Sequence, residues 1–278
     1  MNRITTYIRQ SLQGIYPPEE VRALSMLICC EMLGLDALDI YMGKDIILSE
    51  SKQRELENII FRLQKNEPIQ YIQGYAEFAG RKFKVAPGVL VPRPETVELV
   101  SLIIKENPKV QRILDIGTGS GCIAISLAKD LPSAQVDAWD ISEEALAIAK
   151  VNNEVLEAEV AFKRRDVFTD DEKEDLIYDV IVSNPPYITD SEKCGMDANV
   201  LDWEPAQALF VPDDDPLRFY RRIAVLGRSL LMSGGKLYFE INQAYGQQTA
   251  DMLRMNQYQE VRVMKDIFGK DRIVTAIR

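Results

Sequence analysis

The chain has 278 residues, with 33 Lys+Arg against 43 Asp+Glu and a formal net charge of -10. That length suits one large domain or two smaller ones, and 46% hydrophobic with 27% charged residues excludes collagenous, wholly disordered and coiled-coil chains. No histidine is present, which removes histidine general bases, catalytic triads and most zinc centres, and the acidic balance offers a nucleic-acid backbone no electrostatic footprint.

The four cysteines, Cys29, Cys30, Cys122 and Cys194, form no C-x-x-C pair, so neither a disulfide framework nor a zinc ribbon is expected, and a reducing compartment is. Residues Met1 to Thr5 are polar with no apolar leader behind them, and charge breaks every apolar run well short of the ~20 residues a membrane span needs. A soluble, cytoplasmic protein that does not touch membranes is the expectation.

Up to about Asn66 the pattern is helical. Pro17-Pro18-Glu19-Glu20 places proline and acid in a first turn ahead of Val21, Leu24, Ser25, Leu27, Ile28 and Leu33, with Gly34 as the stop. A second helix opens at Ser49-Glu50 and carries Leu56, Ile59, Ile60 and Leu63 at i, i+3, i+4, i+7, one buried face. A small helical bundle over residues 1–68 is predicted. From Pro68 aromatics and branched residues alternate with glycines through Tyr71 to Val85, the texture of short strands, so residues 69–91 read as a hairpin or linker.

After Pro92-Arg93-Pro94-Glu95 the pattern alternates helix and strand, which predicts a parallel sheet covered on both faces over residues 92–278. The predicted strands are Arg112–Ile116, Gln135–Trp139, Val160–Lys163, Val180–Ser183, Lys236–Ile241, Val261–Lys265 and Ile273–Ile277, the last two forming an antiparallel end.

The first strand runs into Gly117-Thr118-Gly119-Ser120-Gly121 and an apolar helix, a loop that lets backbone approach a ligand beside unpaired N–H groups. The spacing is G-x-G-x-G and not the G-x-G-x-x-G of dinucleotide sites. Asp140 closes the second strand about 20 residues on, where a carboxylate can take ribose hydroxyls, and Ser142 caps the next helix. Together with Asp115 these residues suit S-adenosylmethionine (SAM) better than NAD; the plainer alternative is a tight turn and an exposed acid.

The fourth strand ends in Asn184-Pro185-Pro186-Tyr187. The prolines remove two N–H donors, leaving the carbonyls of Asn184 and Pro185 and the Asn184 amide oxygen as acceptors for a planar –NH2 group, with the Tyr187 ring able to stack on it. Alone, the tetrapeptide is also compatible with a simple turn. Beside a SAM loop it points to methyl transfer onto an amide or amino nitrogen, with positioning in place of a general base.

These residues resemble the peptide-chain release factor glutamine methyltransferases, the PrmC/HemK family. The resemblance runs through Tyr71 to Gly74, Phe78 to Gly80, Val91 to Thr96, Asp115 to Gly121, Asp140 to Ser142, Asn184 to Ile188, Glu204-Pro205, Phe219 to Arg221 and Asp271-Arg272. It implies an N-terminal helical domain that helps hold the substrate protein and a Rossmann-like, seven-stranded class I SAM-dependent methyltransferase domain. The implied reaction methylates the side-chain N5 of the glutamine in the Gly-Gly-Gln motif of class-1 release factors, yields S-adenosylhomocysteine, and uses no metal. By the same resemblance Gly117, Thr118, Gly119, Ser120, Gly121 and Asp140 contact the cofactor, Asp166 and Val167 flank its adenine, and Asn184, Pro185, Pro186 and Tyr187 hold the glutamine. A monomer without direct nucleic-acid contact is expected.

Val97 departs from the glutamate usual in the family, Val167 from a frequent aromatic with Phe168 as a substitute beside it, and Leu209 to Asp215 from a glycine pair. Asn242 follows Glu240-Ile241 where glycine is common. Arg93 and Glu95 are either helix-start residues or braces of the active-site loop. The rival readings are methylation of a ribosomal-protein glutamine, methylation of adenine N6 in nucleic acid, and a cofactor-binding protein without catalysis.

Overall fold

The structure is a computed structural model that describes residues 2–169 and 177–278. The chain divides into two compact units, 1–74 together with 197–203, and 75–196 together with 204–278.

The first unit is helical. Asn2 caps the helix Arg3–Leu12 by accepting from the Thr5 N–H. The helix Pro18–Leu27 starts with proline and two glutamates in its first turn and continues as one π-helical turn, Ile28–Met32. Gly34 then takes a φ of +62°, the left-handed conformation that ends it. The helix Glu50–Leu63 is capped by Ser49 and buries Leu56, Ile59, Ile60 and Leu63, the face its periodicity predicts. These side chains join Ile4, Ile8, Leu12, Val21, Leu24 and Ile28 in one apolar core. The unit extends past residue 68 to take in the short helix Ile69–Gln73, and it also includes the remote segment 197–203. There the Trp203 indole N–H donates to the Lys65 carbonyl at 2.9 Å.

The second unit opens with a hairpin, β1 (Tyr75–Phe78) and β2 (Arg81–Lys84), so the stretch 69–91 is shared between the two units. Its turn residues Ala79 and Gly80 both have positive φ, 47° and 72°, as a two-residue turn matched to strand twist requires. The main sheet begins with β3 (Arg112–Ile116), β4 (Gln135–Asp140), β5 (Val160–Arg164) and β6 (Tyr178–Ser183). A short parallel pair, β7 (Ile188–Thr189) and β8 (Phe210–Val211), precedes β9 (Leu231–Glu240), β10 (Gln259–Lys265) and β11 (Asp271–Ile277). The seven long strands lie in the order β10-β11-β9-β6-β3-β4-β5, with β11 antiparallel to both of its neighbours and the others parallel.

Adjacent residues of the central strands enter opposite cores, as a sheet covered on both faces demands. Ile113, Val180, Val182 and Tyr238 pack with the helices Thr96–Glu106 and Cys122–Asp130, while Leu114, Ile181, Leu237 and Phe239 pack with Arg218–Leu230 and Gly246–Met255. From β3 the chain builds outward through β4 and β5, then returns to the other side of β3 as β6. The loops that follow β3 and β6 diverge there, opening a crevice at the carboxyl edge of the sheet.

Candidate active site

A cavity of about 370 Å³ occupies that crevice, and its walls include Gly117, Thr118, Gly119, Ser120, Asp140, Asp166, Val167, Asn184, Pro185 and Pro186. The structure therefore brings the glycine loop, the second-strand acid and the N-P-P turn to one space.

The loop after β3 is pinned from below. Gly117 and Thr118 N–H groups donate to the Trp139 carbonyl at 2.8 and 3.0 Å, and the Thr118 hydroxyl donates to Asp115 Oδ2 at 2.7 Å. Asp115 is fully buried, and that burial pushes its carboxyl up to about 7 despite the threonine bond. Gly117 and Gly119 have φ values of +78° and +57°, and a Cβ built on either meets nothing within 4 Å, so backbone alone borders open space there. Gly121, at +82°, is different: a Cβ would lie 2.9 Å from Ile125 Cδ1 and 3.2 Å from Ala149 Cβ, so this glycine permits helix packing and is absent from the cavity wall.

Asp140 accepts from the Gly119 N–H at 2.8 Å and the Ser142 N–H at 2.9 Å. Burial raises its pKa while these two N–H groups oppose the rise. Each oxygen keeps a second lone pair for a ligand hydroxyl. At the far wall Asp166 Oδ1 accepts from the Phe168 N–H at 2.9 Å, and the Val167 carbonyl accepts from Arg222 Nε. Phe168 and Phe219 meet edge to face at 5.1 Å, and Arg218 lies 4.8 Å from the Phe168 ring, so the aromatic surface that Val167 lacks is supplied by two neighbours. Val97 packs into the core.

Tyr187 is placed behind the turn. Its hydroxyl donates to Glu240 Oε1 at 3.3 Å, and its ring packs in the core beneath Arg218–Leu230; the residues described along the cavity include Asn184, Pro185 and Pro186 but not Tyr187. The physical reason is Glu240, a fully buried carboxylate at the end of β9 that needs donors: Thr96 Oγ1 supplies one at 2.6 Å and Tyr187 another. Burial raises the pKa of Glu240, with the threonine bond opposing, and burial likewise pushes the Tyr187 hydroxyl up. Arg93 is a brace: its guanidinium donates to Glu204 Oε1 at 2.6 Å, while Glu204 Oε2 accepts from the Val91 N–H at 3.0 Å. Glu95 occupies the helix-start position without a side-chain cap bond.

The sequence reading missed Asn152. It lies on the apolar face of Glu143–Val155, in step with Ala145 and Ala149, and is nearly wholly buried. Its Oδ1 accepts from the Lys84 N–H at 2.6 Å, and its Nδ2 donates to the carbonyls of Lys84 at 3.0 Å and Ser120 at 2.9 Å, tying the hairpin to the glycine loop. A polar residue at an apolar-stripe position was the available signal.

The seven-stranded sheet and the glycine-loop cavity define a SAM-dependent methyltransferase of the class I α/β architecture. The Methyltransferase small domain family matches residues 96–201, and the PrmC N-terminal domain family matches residues 4–74. A solved methyltransferase from Pyrococcus furiosus superposes with a TM-score of 0.53 at 19% identity, covering 80% of this chain and 98% of its own. The release factor glutamine methyltransferase of Bacteroides thetaiotaomicron is 77% identical over 278 residues, all of both chains. That of Flavobacterium psychrophilum is 42% identical over 97% of this chain and 96% of its own. The chain belongs to the release factor glutamine methyltransferase family. No helix among the described residues is long and apolar enough to cross a membrane.

Proposed function

We propose that this protein transfers the methyl group of SAM to the side-chain N5 of the glutamine in the Gly-Gly-Gln motif of class-1 release factors, acting as a cytoplasmic monomer. The observation that carries the reading is the placement of Asn184, Pro185 and Pro186 on the wall of the cavity that also holds Gly117, Gly119 and Asp140.

The open spaces at Gly117 and Gly119, with the twice-anchored Asp140 carboxylate beside them, fit a nucleoside whose ribose hydroxyls donate to Asp140. Asp166, Val167 and the Phe168–Phe219 pair then border the adenine. Bound SAM supplies an electrophilic methyl group on sulfur. An amide nitrogen is a weak nucleophile, so this chain's contribution is alignment: the Asn184 side-chain oxygen and the carbonyls of Asn184 and Pro185 accept the amide hydrogens and favour the positive charge that grows on nitrogen. Pro185 and Pro186 fix that turn and place no competing N–H donor in it. Tyr187 anchors the turn from behind through Glu240. The proton leaves to water after transfer, which is consistent with a chain lacking histidine. The helical unit 1–74 is the surface expected to hold the release factor.

The test is incubation with labelled SAM and a release factor, with label located by mass spectrometry. Label on the Gly-Gly-Gln glutamine is expected, and Asn184→Ala should reduce its rate by about a hundredfold or more, as loss of a transition-state acceptor does. Label confined to a ribosomal protein or to adenine in added nucleic acid would overturn the assignment.

A further inference from the structure

Asn242, at the position where the resemblance makes glycine common, has its side chain almost wholly buried just beyond β9. Its Nδ2 donates to the Tyr187 carbonyl at 3.2 Å and lies 3.1 and 3.0 Å from the two Glu192 oxygens. Glu192 Oε2 also accepts from the Thr189 N–H and hydroxyl, both at 2.8 Å. Burial pushes the Glu192 carboxyl up, but the Thr189 and Asn242 donors outweigh it and hold the carboxyl below the ordinary glutamate value. One amide and one carboxylate thus tie the chain leaving β9 to both ends of the stretch Tyr187–Thr189.

That stretch is the downstream anchor of the cavity-facing turn. Pro185 and Pro186 have no N–H with which to fasten the turn, so its orientation depends on what holds Tyr187. The Tyr187 N–H donates to the Leu209 carbonyl at 3.2 Å, its hydroxyl reaches Glu240, and its own carbonyl is held by Asn242. A glycine at position 242 would supply no donor to that carbonyl or to Glu192.

We propose that Asn242 and Glu192 form a positioning pair that locks the Tyr187 peptide and, through it, aims the Asn184 and Pro185 acceptors at the substrate amide. This rests on the glutamine methylation reading above. The competing role for Asn242 is purely local: its Oδ1 accepts from the Ala244 N–H at 2.9 Å and so caps the turn Gln243–Tyr245.

Asn242→Asp separates the two roles, because it keeps the capping oxygen while replacing the donor with a carboxylate that faces Glu192 and the Tyr187 carbonyl. Asn242→Gly removes both the donor and the capping oxygen, and Glu192→Gln keeps one acceptor oxygen but turns an NH2 donor toward the Asn242 or Thr189 donors. The measurements are kcat and KM on a release factor, S-adenosylhomocysteine Kd by calorimetry, and amide hydrogen exchange over residues 187–192. Asn242→Asp should lower kcat about tenfold or more with the Kd within about twofold, and Asn242→Gly and Glu192→Gln should each lower kcat several-fold with the Kd likewise within about twofold. Exchange over 187–192 should quicken about tenfold in Asn242→Asp. Wild-type kcat in Asn242→Asp, or kcat and cofactor affinity falling together, overturns the proposal. If the wild-type protein leaves the release factor unmethylated, the reading of function fails instead, and the exchange measurement still decides the clasp: unchanged rates refute it.

Discussion

Gly119 and Gly121 sit two residues apart in one loop, both with positive φ, yet alanine should damage them in different ways. At Gly121 the left-handed backbone costs an alanine about 1–2 kcal/mol. Its Cβ would also press on Ile125 Cδ1 at 2.9 Å and on Ala149 Cβ at 3.2 Å, an overpacking penalty of about 1–3 kcal/mol. The sum, about 3 kcal/mol, corresponds to a fall in Tm of about 10 °C for a unit of this size. At Gly119 the built Cβ touches nothing within 4 Å, so only the backbone cost applies and Tm should fall by about 4 °C. That methyl group, however, stands in the cavity and should weaken S-adenosylhomocysteine binding at least about tenfold. Thermal melts of the free protein and calorimetric titration of the ligand read the two effects separately. The reasoning is refuted if Gly119→Ala binds with wild-type affinity, or if it loses as much stability as Gly121→Ala.

Three further outcomes follow from buried polar groups. Asp115 ionises at about 7 when folded against an ordinary 3.8, so the native state holds a proton that the unfolded chain releases, and its contribution to stability, present below about pH 4, is lost as pH rises through 7. Asp115→Asn should therefore flatten the decline of Tm between pH 5 and pH 8, and an unaltered slope in the variant would contradict the assignment. Asn152→Ala removes the partner of the buried Ser120 carbonyl and of the part-buried Lys84 N–H and carbonyl, and should cost about 1–3 kcal/mol while also loosening cofactor binding; a Tm within 2 °C of wild type would count against this. Arg93→Ala strips the cation from the buried Glu204 carboxylate and should cost about 1–3 kcal/mol, partly relieved by adding Glu204→Gln. Equal melting of the single and double variants would show that the pair is unimportant.

What the sequence disclosed depends on how local the physics is. The buried face of Glu50–Leu63 and the strand Arg112–Ile116 were readable because periodicity and a flanking cap or loop decide them. The antiparallel end of the sheet was readable from a turn-rich segment between two strands. β9 begins five residues before its predicted start at Lys236, because Leu231 pairs with Tyr178 across an irregularity while Gly234 and Gly235 bond to the terminal Arg278, partners that no window around residue 231 contains. The site divides in the same way. The glycine loop, Asp140 and the N-P-P turn carry their chemistry in consecutive residues, and the cavity gathers them. Tyr187 lies behind the wall because of Glu240, a carboxylate 53 residues away, and the Asn152 and Asn242 clasps join segments 32 to 68 residues apart.

The return of residues 197–203 to the helical unit has a bearing on biosynthesis. A ribosome delivers the chain from its amino end, so residues 1–74 emerge early, but the carbonyl of Lys65 meets its indole donor only once Trp203 has been made. The first unit to be translated is thus completed only after most of the second has left the tunnel. A fragment ending at residue 74 would lack a native piece of its own structure, and insertions placed between 196 and 204 would be felt by both units at once.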